Sequence, residues 1–155
     1  MSGGDAVSGG DAVSGGDAVS GGSFEVFNPE SLGPPSGWNN GMLAATGGRV
    51  LFVAGQTARD REGRIVSDDF AAQFGAALDH VLAVVEAAGG HPTDIGRMTV
   101  FVTDLGEYRA SLRELGVAYR QRMGRHFPAM SLLEVSGLVD EGAVVEIEAT
   151  AILKN

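Results

Sequence analysis

Apolar residues recur along this chain with two different periods, and the alternation between the two lays out its elements. Ser23–Asn28 alternates Phe24 and Val26 with polar neighbours, a period of two that predicts a short strand. Met42–Thr46 and Arg49–Ala54 are β-rich runs on either side of Gly47-Gly48, a pattern that predicts a hairpin, with Gly55 and Gln56 ending its second strand. A further turn is expected at Asp60–Gly63. Over Asp68–Ala88 the period changes: Phe70, Phe74, Leu78, Val81 and Val85 fall on one face of a helix. Ser67 is the expected N-cap, Asp68 and Asp69 suit the positive end of the dipole, and Gly89-Gly90 stops the helix. Arg97–Thr103 alternates again as a strand. Asp104 and Glu107 resemble a capping box for a second helix, with Tyr108, Leu112, Leu115, Tyr119 and Met123 as its stripe and Gly124 as its end. Met130–Ser136 and Ala143–Leu153 are the last two strands, joined by a turn at Val139–Gly142.

The resulting order is β, β-β, α, β, α, β, β, an α+β arrangement in which two amphipathic helices cover one face of a mixed β-sheet. Apolar positions such as Phe101 and Leu132 are expected on the other face. A symmetric oligomer could bury that face and place sites between subunits. Between the first strands, the loop Pro29–Asn40 holds three of the five prolines and the single tryptophan, Trp38, which either plugs the edge of the core or touches a ligand.

Composition narrows the possibilities. Residues 2–22 are three copies of SGGDAV followed by SGG, a Gly/Ser-rich tail expected to be disordered, which leaves 23–155 as one domain. The net charge is −9, of which three charges belong to the repeat aspartates. Such a balance argues against a general nucleic-acid binder, which needs a basic face. Without cysteine there is no disulfide framework, thiolate zinc site or cysteine nucleophile. The apolar runs fall short of a membrane span, and no signal peptide is visible, so a cytoplasmic location is expected. His80, His91 and His126 are scattered without metal-ligand spacing, so a metal site is not expected. In the final strand Val145, Ile147, Ala149 and Ala151 should face the helices. Glu146 and Glu148 then share the opposite face, about 7 Å apart. If a neighbouring subunit buries that face, one of these acids could handle a proton or hold a water; otherwise both are solvated.

Val53-Ala54-Gly55-Gln56, Val84–Gly89 (VVEAAG), Thr99–Leu105 (TVFVTDL), Phe127-Pro128-Ala129 and Val145–Ala149 (VEIEA) occur in an order and spacing that resemble the RidA/YjgF-like family of reactive-intermediate deaminases. The resemblance runs from about Phe24 to Leu153. It implies a chorismate-mutase-like fold, a homotrimer, and small-molecule clefts between adjacent subunits. It also implies hydrolysis of enamines or imines to a carbonyl compound and ammonia without cofactor or metal. In the deaminating members, the residue after Phe-Pro-Ala is an arginine that clamps the substrate carboxylate; here it is Met130. Leu132 stands at the family's nearby cysteine position. Gly55, Gln56 and Glu146 are retained, and Trp38 replaces the family's loop tyrosine.

The expected site is therefore Glu146 as the group that orients or deprotonates water, with Trp38, Gly55, Gln56, Met130, Ser131 and Leu132 around the substrate. Backbone groups near Gly55 and Met130-Ser131 would stabilise developing charge. The expected activity is hydrolysis of an imine, enamine or related carbonyl compound other than a typical 2-imino acid. Arg113 and Arg59 are candidate substitute cations, more simply read as surface residues. The alternative is a non-catalytic trimer that binds a small apolar ligand or a protein partner. The ribonuclease role claimed for some relatives ranks behind both because the chain is acidic.

Overall fold

A computed structural model describes residues 24–45 and 47–154. The repeat tail, Ser23 and Thr46 lie outside the described residues. Six strands are present: β1 (Phe24–Phe27), β2 (Gly41–Ala44), β3 (Arg49–Gln56), β4 (Ile95–Val102), β5 (Ala129–Glu134) and β6 (Val145–Leu153). Among the described residues three α-helices accompany them, α1 (Phe70–Ala87), α2 (Leu105–Ala110) and α3 (Leu112–Met123), with short 3-10 turns at Glu30–Leu32 and Pro92–Asp94.

The main sheet has the order β3-β6-β4-β5, with β4 and β5 parallel and the other pairs antiparallel. It is a mixed sheet with α1 and α3 packed on one face, an α+β fold. Strand β6 sits between β3 and β4, and its accessibility alternates strictly along nine residues. Val145, Ile147, Ala149, Ala151 and Leu153 are buried under the helices; Glu146, Glu148, Thr150 and Ile152 lie on the open face. On α1, Phe70, Phe74, Leu78, Val81 and Val85 are all buried, as the helical spacing requires. By length and hydropathy α1 could cross a membrane, but its apolar side is the underside of this core.

Four local expectations are corrected. The run before Gly47-Gly48 does not form a hairpin with the run after it: β2 pairs antiparallel with β1, and β3 pairs with β6. A Cβ on Gly48 would come within 2.4 Å of Ile152 Cγ2, so close approach to β6 explains that glycine. The N-cap of α1 is Asp69, whose carboxylate accepts the Ala72 N–H at 2.7 Å, while Ser67 Oγ accepts the Asp69 N–H. The second helix opens as expected, with Asp104 accepting the Glu107 N–H, but breaks at Ser111 into α2 and α3. Finally, Leu132 lies opposite Val100 on the helix-covered face; Leu133, opposite Phe101, is the β5 residue that shares the open face.

Gln73 is the polar centre of the core. Its fully buried amide donates to Ser67 O (2.8 Å) and Gly142 O (3.0 Å) and accepts from Val144 N–H (2.9 Å), tying α1 to the turn before β6. Substituting Gln73→Leu unpairs the part-buried Val144 N–H and removes the amide's bonds to Ser67 O and Gly142 O, a group left unpaired away from water costing about 1–3 kcal/mol. The variant should lose roughly 3 kcal/mol of stability, read as a lower urea midpoint at unchanged m-value.

Candidate functional site

A cavity of about 660 Å³ opens between α3 and the β4–β5 edge of the sheet, on the helix-covered face. Val100, Met130 and Leu132 form its floor, Tyr119 and Arg120 its helical wall, and Trp38 its lip. Met130 and Leu132 reach it because they are two apart on β5 and pair with Met98 and Val100, whose side chains belong to the core.

Trp38 is brought there by its loop. Asn39 donates its backbone N–H to Pro128 O (3.0 Å) and its side-chain amide to Phe127 O (2.6 Å). Asn28 in turn donates to Asn39 Oδ1 and accepts the Asn40 N–H, each at 2.8 Å. This network seats the proline-rich loop on the start of β5, with Trp38 still 43% exposed. On the inner wall the Tyr119 ring stacks on Phe127 with centroids 5.3 Å apart and planes 5° from parallel, and Tyr119 donates its hydroxyl to His126 O at 2.8 Å. Burial pushes the Tyr119 phenol well above its usual pKa.

Glu146 and Gly55 form a second group, on the open face. The pairing of β3 with β6 shifts between Val53 and Gln56, and this irregularity sets Gly55 beside Glu146. A Cβ on Gly55 would fall 1.8 Å from Glu146 Oε1 and 2.7 Å from its Cδ. The carboxylate thus lies directly across the bare glycine backbone, and any larger residue would displace it. No described side chain or backbone group hydrogen-bonds or ion-pairs with the Glu146 carboxylate. Gln56 turns its amide back to Ala54 O at 3.1 Å. Ser131 lies on the same face, opposite Thr99 and exposed on the edge strand.

The sequence-predicted residues therefore fall into two sets. Trp38, Met130 and Leu132 meet in the cavity; Gly55 and Glu146 meet on the opposite side of the sheet, with Gln56 and Ser131 outside both contacts. Within one chain the sheet itself separates the two sets. His80 and His126 each donate a ring N–H to a backbone carbonyl, Thr57 O (2.8 Å) and Ile95 O (2.7 Å) respectively. Neither candidate cation lines the cavity: Arg59 lies 3.8 Å from Asp140, and Arg113 is exposed elsewhere on α3. Arg120, which sequence reasoning passed over, is the one charged side chain among the described lining residues.

A family model described as endoribonuclease L-PSP matches residues 31–153. A RutC family protein of Pyrococcus horikoshii is 34% identical over 124 residues, covering 79% of this chain and 90% of the relative. A 2-iminobutanoate/2-iminopropanoate deaminase of Salmonella typhimurium is 36% identical over 105 residues, covering 68% of this chain and 80% of the relative. Among solved structures, a protein of unknown function of the conserved Rid family from Yersinia pestis superposes with a TM-score of 0.74 at 30% identity, covering 84% of this chain and 99% of that one.

The Tyr119 shift carries a signed consequence. An unfolded tyrosine ionises near 10, and the folded one higher. Its contribution to stability is fully present below pH 10 and is lost as pH rises toward the folded value. Unfolding free energy measured from pH 8 to 11 should fall at the alkaline end. Tyr119→Phe should flatten that fall while costing about 1 kcal/mol at neutral pH for the lost hydrogen bond.

Proposed function

The chain belongs to the RidA/YjgF-like (endoribonuclease L-PSP) family, and on that footing we propose that it hydrolyses an imine or enamine to a carbonyl compound and ammonia, with a substrate other than a small 2-imino acid. The observation that carries this reading is the Glu146 carboxylate lying across Gly55, without a described partner. A carboxylate so held can accept a proton from water as the water oxygen adds to the C=N carbon. Glu146 hands that proton to the nitrogen, giving the carbinolamine; the carbinol hydroxyl then yields its own proton through the same carboxylate to the nitrogen as the C–N bond breaks, C=O forms and ammonia leaves. An enamine enters the same route after protonation at carbon. Backbone N–H groups near Gly55 and Met130-Ser131 are the groups proposed to stabilise the developing charge.

The proposed assembly is a homotrimer with its ligand in the clefts between copies. Glu146 of one copy would complete the wall formed by Trp38, Met130 and Leu132 of the next. Two features support it: the separation of the two residue sets by the sheet, and an open face that leaves Phe52 79% exposed with Val50 on β3, and Leu133 exposed on β5. Met130 stands where the resemblance puts the carboxylate-binding arginine. Losing a charged hydrogen bond to an ionised ligand costs roughly 1.5–3 kcal/mol, which makes a carboxylate adjacent to the imine a poor fit at that wall.

Ammonia release from freshly generated 2-iminopropionate, set beside release from uncharged imines, tests the reading. The unmodified protein should favour the uncharged imines. Met130→Arg should raise turnover of the imino acid about tenfold or more, and Glu146→Gln should lower every detected turnover by about a hundredfold or more. Full activity on 2-iminopropionate in the unmodified protein refutes the role given to Met130. Ligand-dependent thermal stabilisation without any turnover would identify a binding protein instead.

A further inference from the structure

Two arginines of α3, Arg120 and Arg122, each lie against a helical glycine, and only one has an acid to meet. The Arg122 guanidinium passes over Gly75 of α1, where a Cβ would come within 3.0 Å of its Nη2, and forks onto Asp79 at 2.6 and 2.7 Å. That ion pair raises the Arg122 pKa, and it clamps α3 to α1.

Arg120 folds back over Gly116, one turn earlier on its own helix. A Cβ there would stand 3.3 Å from its Nη1 and 3.8 Å from its Nη2. A glycine inside a helix costs about 1 kcal/mol relative to alanine. Here it opens a seat for a guanidinium on the cavity wall, where Gly116 and Arg120 both line the space. No described carboxylate lies within ion-pair distance of Arg120, and no other charged side chain lines the cavity among the described residues.

We infer that Arg120 is the anion-binding residue of this cavity, and that its ligand carries a carboxylate or similar anionic head on an apolar body. The inference rests on the reading above that the Met130–Leu132 cavity is the ligand site, and it sharpens the substrate class. The cation is on the helical wall, across the cavity from Met130 on β5. Between the helical wall and the strand side the cavity is lined by apolar and aromatic surface, chiefly Tyr108, Leu115, Tyr119 and Phe127. A cavity of about 660 Å³ also has room for more than a three-carbon acid. The substrate is thus an imine or enamine whose anionic group is spaced from the C=N carbon by an apolar segment.

Isothermal titration of the full-length protein with 3-phenylpropionate and with its neutral isostere 3-phenylpropionamide isolates the charge. The unmodified protein should bind the acid more tightly than the amide. Arg120→Met should weaken the acid by roughly tenfold to a hundredfold and leave the amide within about twofold. Arg120 is exposed and makes no described ion pair, so the variant's melting temperature should stay near that of the parent. Equal affinity for acid and amide, no binding of the acid, or an acid affinity unchanged in Arg120→Met overturns the inference. Turnover is not read in this assay. Absence of ammonia release from any imine would therefore defeat the enzymatic reading and leave the Arg120 result to stand or fall separately.

Discussion

Everything that can be chemical in this domain is sorted by the two-residue period of β6. A strand hydrogen-bonded on both edges cannot roll, because a one-residue slip would carry Val145, Ile147, Ala149 and Ala151 out of the core and drive Glu146 and Glu148 into it. Burying an unpaired carboxylate in that apolar layer costs several kcal/mol, so the register is held from both sides. The same constraint fixes where Glu146 can act. Within its own chain it faces the open side alone, and the cavity under the helices of that chain is lined by other elements.

Those elements are β5 and α3, and their arrangement follows from how the helices are fastened. Arg122 and Asp79 join α3 to α1, and Tyr119 joins α3 to the segment leading into β5 through its ring stack and its bond to His126 O. Small residues set the distances. Gly75 lets a guanidinium cross α1, and Gly116 lets another lie along α3. The wall of the cavity therefore consists of aromatic surface with one cation, and the acid that could have neutralised that cation is absent from the described surroundings.

Much of the fold was legible because its signals are local and repeated. The stripe Phe70, Phe74, Leu78, Val81, Val85 and the alternation Val145 to Ala151 each offer four or five consistent positions, and both hold in the structure. The errors arose where one residue type admits two physical uses. Gly47-Gly48 reads as a tight turn, yet Gly48 answers to the side chain of Ile152, more than a hundred residues later. Ser67 and Asp69 are both competent caps, and the choice depends on which carboxyl or hydroxyl meets the Ala72 N–H. Leu132 and Leu133 are indistinguishable by composition, so a strand with two adjacent leucines does not declare its buried face until its partner, Val100, is known. Arg120 was harder still, since it lies off the apolar stripe of a helix that carries several arginines. The available clue was Gly116, a glycine in the interior of an otherwise helical pattern, which asks for a packing reason.

The overall charge makes that arginine more informative. With a net charge of −9 the chain repels anions at long range, and salt screens this repulsion beyond about 8–10 Å. An anionic ligand is therefore not steered in by the field of the whole molecule; it must be recognised at contact. A planar guanidinium beside apolar surface does this well, because its fork matches both oxygens of a carboxylate while the apolar lining takes the rest of the ligand. On the proposed reading the anion-binding cation stands on α3 rather than on β5, which changes the distance between the anion and the strand-side wall. Selectivity among imines is, on that same proposed reading, a matter of spacer length, set by the gap between α3 and β5 beside the Tyr119–Phe127 stack.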